Sequence, residues 1–299
     1  MGKIAFVFSG QGDQYPGMGK ELCMKYPVAS DVYGMCDSIR PNTSKQCFEG
    51  AQEELKETKN TQPCLFAMEL AAASVLIDKG IKPDALAGFS LGEVAAVTVG
   101  GIFDNETGFS LVCKRGKLMQ REAEKFDTSM AAVVKLTASK VQELCDKYEG
   151  IYAVNYNCPG QIAVSGLSSQ MDEFSSDVKA AGGRAIPLKV KGAFHSPFMS
   201  EAAKNFAKEI SNVNVKSKNS QMPVYSNMTA LPYSEDVVQL LSQQICSPVQ
   251  WEKTVKNMIN DGIDTFIEIG PGKTLTNMIK KIDSQVKTVS VYDYLEEMN

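Results

Sequence analysis

The stretch Asp84-Ala85-Leu86-Ala87-Gly88-Phe89-Ser90-Leu91-Gly92-Glu93-Val94-Ala95-Ala96-Val97 decides the fold. Its first half, Asp84–Phe89, reads as a short buried strand, and Leu91–Val99 reads as an Ala/Val-rich buried helix. Between them Gly88-Phe89-Ser90-Leu91-Gly92 has the form G-x-S-x-G, with the strand before it and the helix after it that a nucleophile elbow requires. A serine on so tight a turn needs neighbours without side chains. The helix behind it aims its N-terminus at the serine oxygen, and the N–H of Leu91 can donate to an oxyanion. The competing reading is a chance match in a Gly-rich turn.

Outward from this point the same rhythm repeats. Lys3–Ser9 is a mostly apolar strand, followed by a loop with Gly10, Gly12, Gly17 and Gly19. The pattern predicts helices over Glu21–Asp31, Gln62–Lys79 (capped by Gly80) and Asp104–Glu124. From 127 to 191 the order changes to strand Met130–Leu136, helix Ser139–Lys147, strands Ile151–Tyr156 and Gln161–Ser165 about the turn Asn157-Cys158-Pro159-Gly160, helix Ser168–Ala181 and strand Arg184–Val190. This β-α-β-β-α-β order is the ferredoxin-like split motif. Alternation then resumes with strand Pro223–Ser226, helices Asp236–Ile245 and Trp251–Asn260, strand Thr265–Ile269, helix Lys273–Ile282 and a terminal strand Thr288–Tyr292. The expected fold is α/β: a large α/β-hydrolase-like domain with a mainly parallel sheet, 1–126 and 192–299, and an inserted ferredoxin-like small domain, 127–191.

Composition narrows the function. The chain has 299 residues, 43% apolar and 22% charged, with a formal net charge of −4. It is neither a disordered chain nor one with a broad basic face for nucleic acid. No apolar run is long enough to span a bilayer, and the apolar start is too short for a signal sequence. The eight cysteines contain no CxxC pair, so no metal site is expected and a reducing, cytoplasmic location is.

The single histidine, His195, lies in Gly192-Ala193-Phe194-His195-Ser196. A serine nucleophile at neutral pH needs an activating base, and His195 is the one imidazole available. A lysine base is the other route, but none stands in an S-x-x-K arrangement with Ser90. No aspartate suggests itself as a third member, and a backbone carbonyl can fix the tautomer instead. Gln11, between Gly10 and Gly12, can supply a second oxyanion donor; a phosphate-binding or purely structural turn is the alternative. Arg115 reads either as part of a solvated basic face or as a fork for a carboxylate.

Together these segments resemble the malonyl-CoA:acyl carrier protein transacylase family. The match runs in order through Phe8-Ser9-Gly10-Gln11-Gly12, Thr61-Gln62-Pro63, Gly88-Phe89-Ser90-Leu91-Gly92-Glu93, Arg115-Gly116-Lys117-Leu118-Met119-Gln120, Ala193-Phe194-His195-Ser196, Pro248-Val249-Gln250-Trp251 and Glu268-Ile269-Gly270-Pro271-Gly272. The resemblance implies Ser90 as acylated nucleophile and His195 as base, with the N–H groups of Gln11 and Leu91 as oxyanion hole. It implies Arg115 on the malonyl carboxylate, Met119 and Gln62 lining the acyl pocket, and the main-chain carbonyl of Gln250 orienting His195. Phe194 matches the malonyl-selective form of its motif. It further implies malonyl-CoA as donor, the phosphopantetheine thiol of acyl carrier protein as acceptor, no cofactor, a monomer and a role in fatty-acid synthesis. A polyketide carrier, a serine thioesterase or hydrolase, and a non-catalytic scaffold are the rivals. The sequence departs from the family pattern at Phe89 (usually His), Ser9 (usually Pro) and Asp13 (usually Ser).

Overall fold

A computed structural model describes residues 2–215, 222–234 and 236–298. Met1, 216–221, Glu235 and Asn299, all in the large domain expected from the sequence, lie outside the described residues. In chain order the strands are β1 Lys3–Phe8, β2 Ala85–Gly88, β3 Thr128–Val134, β4 Ile151–Cys158, β5 Gln161–Leu167, β6 Arg184–Lys191, β7 Val224–Tyr225, β8 Ile263–Ile269 and β9 Lys287–Ser290. They form two sheets, β7-β2-β1-β8-β9 and β4-β5-β3-β6.

Every pairing in the five-stranded sheet is parallel. Its central strand is buried from Ala5 to Phe8, which explains the unbroken apolar run: helices cover both faces. Phe8 is in register with Gly88 on one side and Ile269 on the other. The loops after β1, β2 and β8 therefore leave the sheet side by side at its carboxyl edge, where open α/β sheets place their ligands.

The four-stranded sheet is antiparallel throughout, in the order of a ferredoxin-like unit. Its strands alternate. Ala131 and Val133 face a core shared with Phe174 and Val178, while Met130, Val154 and Ala163 join the core of the larger sheet. The small sheet thus lies with one face on its own helices and the other on the body of the larger sheet. A parallel bridge between Asn155 and Val249 ties the two together.

Three details differ from the sequence reading. The helix expected over Glu21–Asp31 is two, Lys20–Lys25 and Pro27–Ile39, because Pro27 can only start a helix. The last strand stops at Ser290, whose hydroxyl accepts from the N–H of Asp293 and starts the helix Val291–Glu297. The helices Thr43–Glu49 and Ser200–Ser211 carry no expectation from the sequence. Among the described residues no helix is long and apolar enough to cross a membrane, and no cluster of metal-ligating side chains occurs.

Candidate active site

The turn from β2 into the helix Leu91–Val99 is strained, with Ser90 at φ 54° and ψ −100°. Both motif glycines are forced. A Cβ on Gly88 would lie 1.9 Å from the carbonyl carbon of Gly92, and one on Gly92 would lie 2.3 Å from the Phe8 carbonyl oxygen. Ser90-x-x-Glu93 has the spacing of a capping box, yet Ser90 Oγ caps nothing. It points outward to His195, 2.7 Å from Nε2.

His195 is held in an equally rare conformation, φ 61°. Its Nδ1 donates to the main-chain carbonyl of Gln244 at 2.8 Å. A carbonyl can only accept, so Nδ1 carries the proton and Nε2 is left to take one from Ser90. Burial, reinforced by the Arg115 charge, lowers the imidazole to about 4, which keeps it neutral at physiological pH with Nε2 free to accept a proton.

This corrects the expectation for Gln250. Its carbonyl accepts from the Thr254 N–H at 2.8 Å, inside the first turn of the helix Trp251–Asn260, and is not available to His195. The orienting carbonyl comes six residues earlier, from the short 3-10 turn Gln244–Cys246.

Arg115 is fully buried and aimed at the same oxygen. Nη2 lies 3.3 Å from Ser90 Oγ and donates to Gln244 Oε1 at 2.7 Å; Nη1 donates to Gln62 Oε1 at 2.9 Å. Nε has no partner among the described residues. No carboxylate among them pairs directly with this cation, and burial lowers it to about 10 against the distant attraction of Glu93. The planar fork of such a guanidinium matches the geometry of a carboxylate. Gln62 also donates to Met119 Sδ at 3.3 Å, linking the two residues expected to shape the acyl pocket.

Behind the serine stands a polar network that the sequence reading missed. Gln244 Nε2 donates to the Ser90 carbonyl at 2.6 Å and to Glu93 Oε2 at 2.7 Å. Asn227, just after β7, takes the Ser90 N–H on its Oδ1 at 2.7 Å and donates to the Gly88 carbonyl at 2.6 Å. Glu93 also accepts from the Tyr233 hydroxyl and the Asn227 N–H, and its burial pushes it up to about 7. One residue, Gln244, thus orients the imidazole with its main chain while its side chain ties Arg115 to the nucleophile turn. No sequence signal marks it. Glu93 stood in the quoted motif, but its inward turn was not legible there.

Gln11, Gln62, Ser90, Leu91, Met119, Phe194 and His195 border one cavity of about 90 Å³. The small sheet closes it with Met130, Asn155, Leu188 and Val190, none of them expected. Among the described residues the N–H groups of Gln11 and Leu91 enter no hydrogen bond, which leaves both open to an acceptor in the cavity. Of the residues singled out from the sequence, Arg115 and Gln250 do not border this cavity; Arg115 still lies 3.3 Å from Ser90 Oγ, whereas Gln250 stays away.

A serine nucleophile, a neutral imidazole and a buried carboxylate fork on an α/β frame define a class, the acyl-handling serine enzymes. Comparisons with known proteins narrow it. Residues 5–299 match the acyl transferase domain family. The chain is 38% identical to the malonyl CoA-acyl carrier protein transacylase of Bacillus subtilis, over 98% of this chain and 94% of that protein. The crystal structure of malonyl CoA-acyl carrier protein transacylase from Clostridium perfringens superposes with a TM-score of 0.93 at 33% identity, covering 99% of this chain and 98% of that one. A type II polyketide acyl-carrier protein in complex with its malonyl-transacylase supplies a third relative, with a TM-score of 0.93, 29% identity and 99% of both chains covered. The chain belongs to the malonyl CoA-acyl carrier protein transacylase family.

Proposed function

We propose that Ser90, His195 and Arg115 carry out the malonyl transfer for which the family is named. The chain is an [acyl-carrier-protein] S-malonyltransferase of fatty-acid synthesis. The observation that carries the residue assignment is convergence: His195 Nε2 at 2.7 Å and Arg115 Nη2 at 3.3 Å meet on one oxygen, Ser90 Oγ.

The chemistry follows from that geometry. Arg115 takes the free carboxylate of malonyl-CoA and places the thioester over Ser90. Nε2 removes the hydroxyl proton as Oγ bonds to the carbonyl carbon. The oxyanion faces the N–H groups of Gln11 and Leu91, each worth up to about 3 kcal/mol on the scale of such donors. The C–S bond breaks, and the imidazolium returns the proton to the departing CoA sulfur. The phosphopantetheine thiol of the carrier then gives its proton to Nε2 and attacks the malonyl ester; the C–Oγ bond breaks and Ser90 regains its proton. The main-chain carbonyl of Gln244 stabilises each imidazolium, which accounts for a dyad without an acidic third member.

Phe194 and Met119 set the width of the acyl pocket, and the buried cation sets its charge. Acetate would leave Arg115 unpaired, a cost of several kcal/mol, so malonyl is favoured. The eight free thiols suit a reducing compartment, and the cytoplasm is the location we assign, with the chain acting as a monomer. The small sheet, within 127–191, is the inserted unit in this reading.

The test is intact-mass measurement after mixing with malonyl-CoA alone. A malonyl adduct on wild type that vanishes in Ser90→Ala supports the assignment; no adduct, or one surviving that substitution, overturns it. Transfer to several carriers, with free malonate measured alongside, separates transferase from hydrolase. It also separates a fatty-acid carrier from the polyketide kind bound by the third relative.

A further inference from the structure

The three positions that depart from the family pattern all border one segment, residues 9–13. Ser9 follows directly on β1 and is buried. Its N–H donates to the Ile269 carbonyl at 3.2 Å, and its hydroxyl donates to Glu69 Oε1 at 2.8 Å. The fit around it is tight: a Cβ on Gly270 would lie 2.3 Å from Ser9 Oγ, and one on Gly92 would lie 2.6 Å from the Ser9 carbonyl oxygen. Ser9 is thus wedged between the start of the nucleophile helix and the turn after β8.

At the far end, Asp13 Oδ1 accepts from the Thr274 hydroxyl at 2.7 Å. In between, the Phe89 ring leaves no room for a side chain on Gly10, where a Cβ would fall 2.9 Å from Phe89 Cδ1. The other edge of that ring packs on Trp251, with centroids 5.7 Å apart. The loop is therefore gripped at both ends and in the middle, with the Gln11 N–H left free.

Glu69 is the unusual member. It comes from the middle of the helix Thr58–Asp78, is fully buried, and its Oε2 has no partner among the described residues. Burial, with Glu268 adding to it, holds the carboxyl well above its ordinary range, so it accepts from Ser9 without stranding a charge. A buried polar group with an open valence opposes folding. Its one bond runs to the residue that begins the loop.

We infer that Glu69 is a positioning residue for the oxyanion hole: through Ser9 Oγ it fixes the pitch at which the loop presents the Gln11 N–H to the developing alkoxide. This rests on the reading of Gln11 as an oxyanion donor.

The test compares Ser9→Ala, Glu69→Leu, the double variant and Glu69→Gln in the full chain, by steady-state malonyl transfer and by the rate at which a fluorophosphonate labels Ser90. Ser9→Ala and Glu69→Leu should each lower kcat about tenfold with KM little changed, and slow labelling in parallel, because a slack donor weakens only the charged transition state. The double variant should lose no more than either single one. Glu69→Gln, whose carbonyl can still accept from Ser9, should recover most of the loss. Additive losses, a change in KM alone, unslowed labelling or a Glu69→Gln as impaired as Glu69→Leu would each overturn the inference. If Glu69→Leu does not fold, Ser9→Ala, which removes one oxygen, decides with Glu69→Gln. A Ser90→Ala control tells the two levels apart: transfer surviving there defeats the mechanism itself, whereas a dead Ser90→Ala beside a fully active Ser9→Ala defeats only this inference.

Discussion

The two walls of the cavity are made differently. The wall from the larger body carries the polar groups beside Leu91, Met119 and Phe194, and its nucleophile is over-determined: Ser90 is held by Asn227 at its N–H, by Gln244 at its carbonyl and by His195 at its hydroxyl. The wall from the antiparallel sheet is Met130, Leu188 and Val190 with one amide, Asn155, whose Oδ1 is unpartnered among the described residues. Reacting atoms need fixed donors and a set tautomer, and these come from turns at the edge of a rigid sheet. The side chains standing on the antiparallel strands supply an apolar surface facing these groups, so the fixed donors and that surface come from different sheets.

That division can be broken by experiment. On the polar wall, Ser90→Ala should cut transfer by roughly six orders of magnitude and abolish the malonyl adduct, the scale seen when a serine nucleophile is lost. Arg115→Ala should lower the malonyl-to-acetyl preference by about a hundredfold in a competition assay, because the pocket no longer holds an unpaired cation. Unchanged selectivity would move the carboxylate site elsewhere.

A pH profile sharpens the same point. With His195 lowered to about 4, protonation on acidification removes the base only well below neutrality, so kcat/KM should stay flat down to about pH 5 and fall beneath it. At the alkaline end, loss of the Arg115 charge at about 10 should raise KM for malonyl-CoA. An acid limb near 6.5 would mean a solvated imidazole. On the apolar wall, Leu188→Ser should raise KM for both malonyl-CoA and the carrier about threefold and leave kcat alone, the signature of lost uniform binding. A fall in kcat there would erase the distinction between the walls.

The sequence displayed the polar wall's nucleophile and hid its support. G-x-S-x-G is legible because sterics leave no other residue at Gly88 or Gly92. The helices Leu91–Val99 and Trp251–Asn260 begin and end as read, since each follows a turn and the first is buried on every side while the second buries a regular apolar face. The helix Ser200–Ser211 carries no expectation from the sequence although Ala202, Ala203, Phe206 and Ile210 recur at helical spacing along its buried face. The mistaken choice of Gln250 over Gln244 has a simpler cause. Every residue carries the same carbonyl, so only the path of the chain decides which one meets the imidazole. The apolar wall was unreadable for a related reason: Met130, Leu188 and Val190 are ordinary strand residues until a second sheet is laid against them.

The unpaired guanidinium of Arg115 bears on how the enzyme waits. Before substrate arrives, Arg115 has only the attraction of Glu93 and no carboxylate in direct contact, and a malonyl half-ester on Ser90 would bring one within reach of its fork. Between encounters the protein should therefore rest in its loaded form, acyl group already aboard, and the arriving carrier meets an enzyme that has finished half its work.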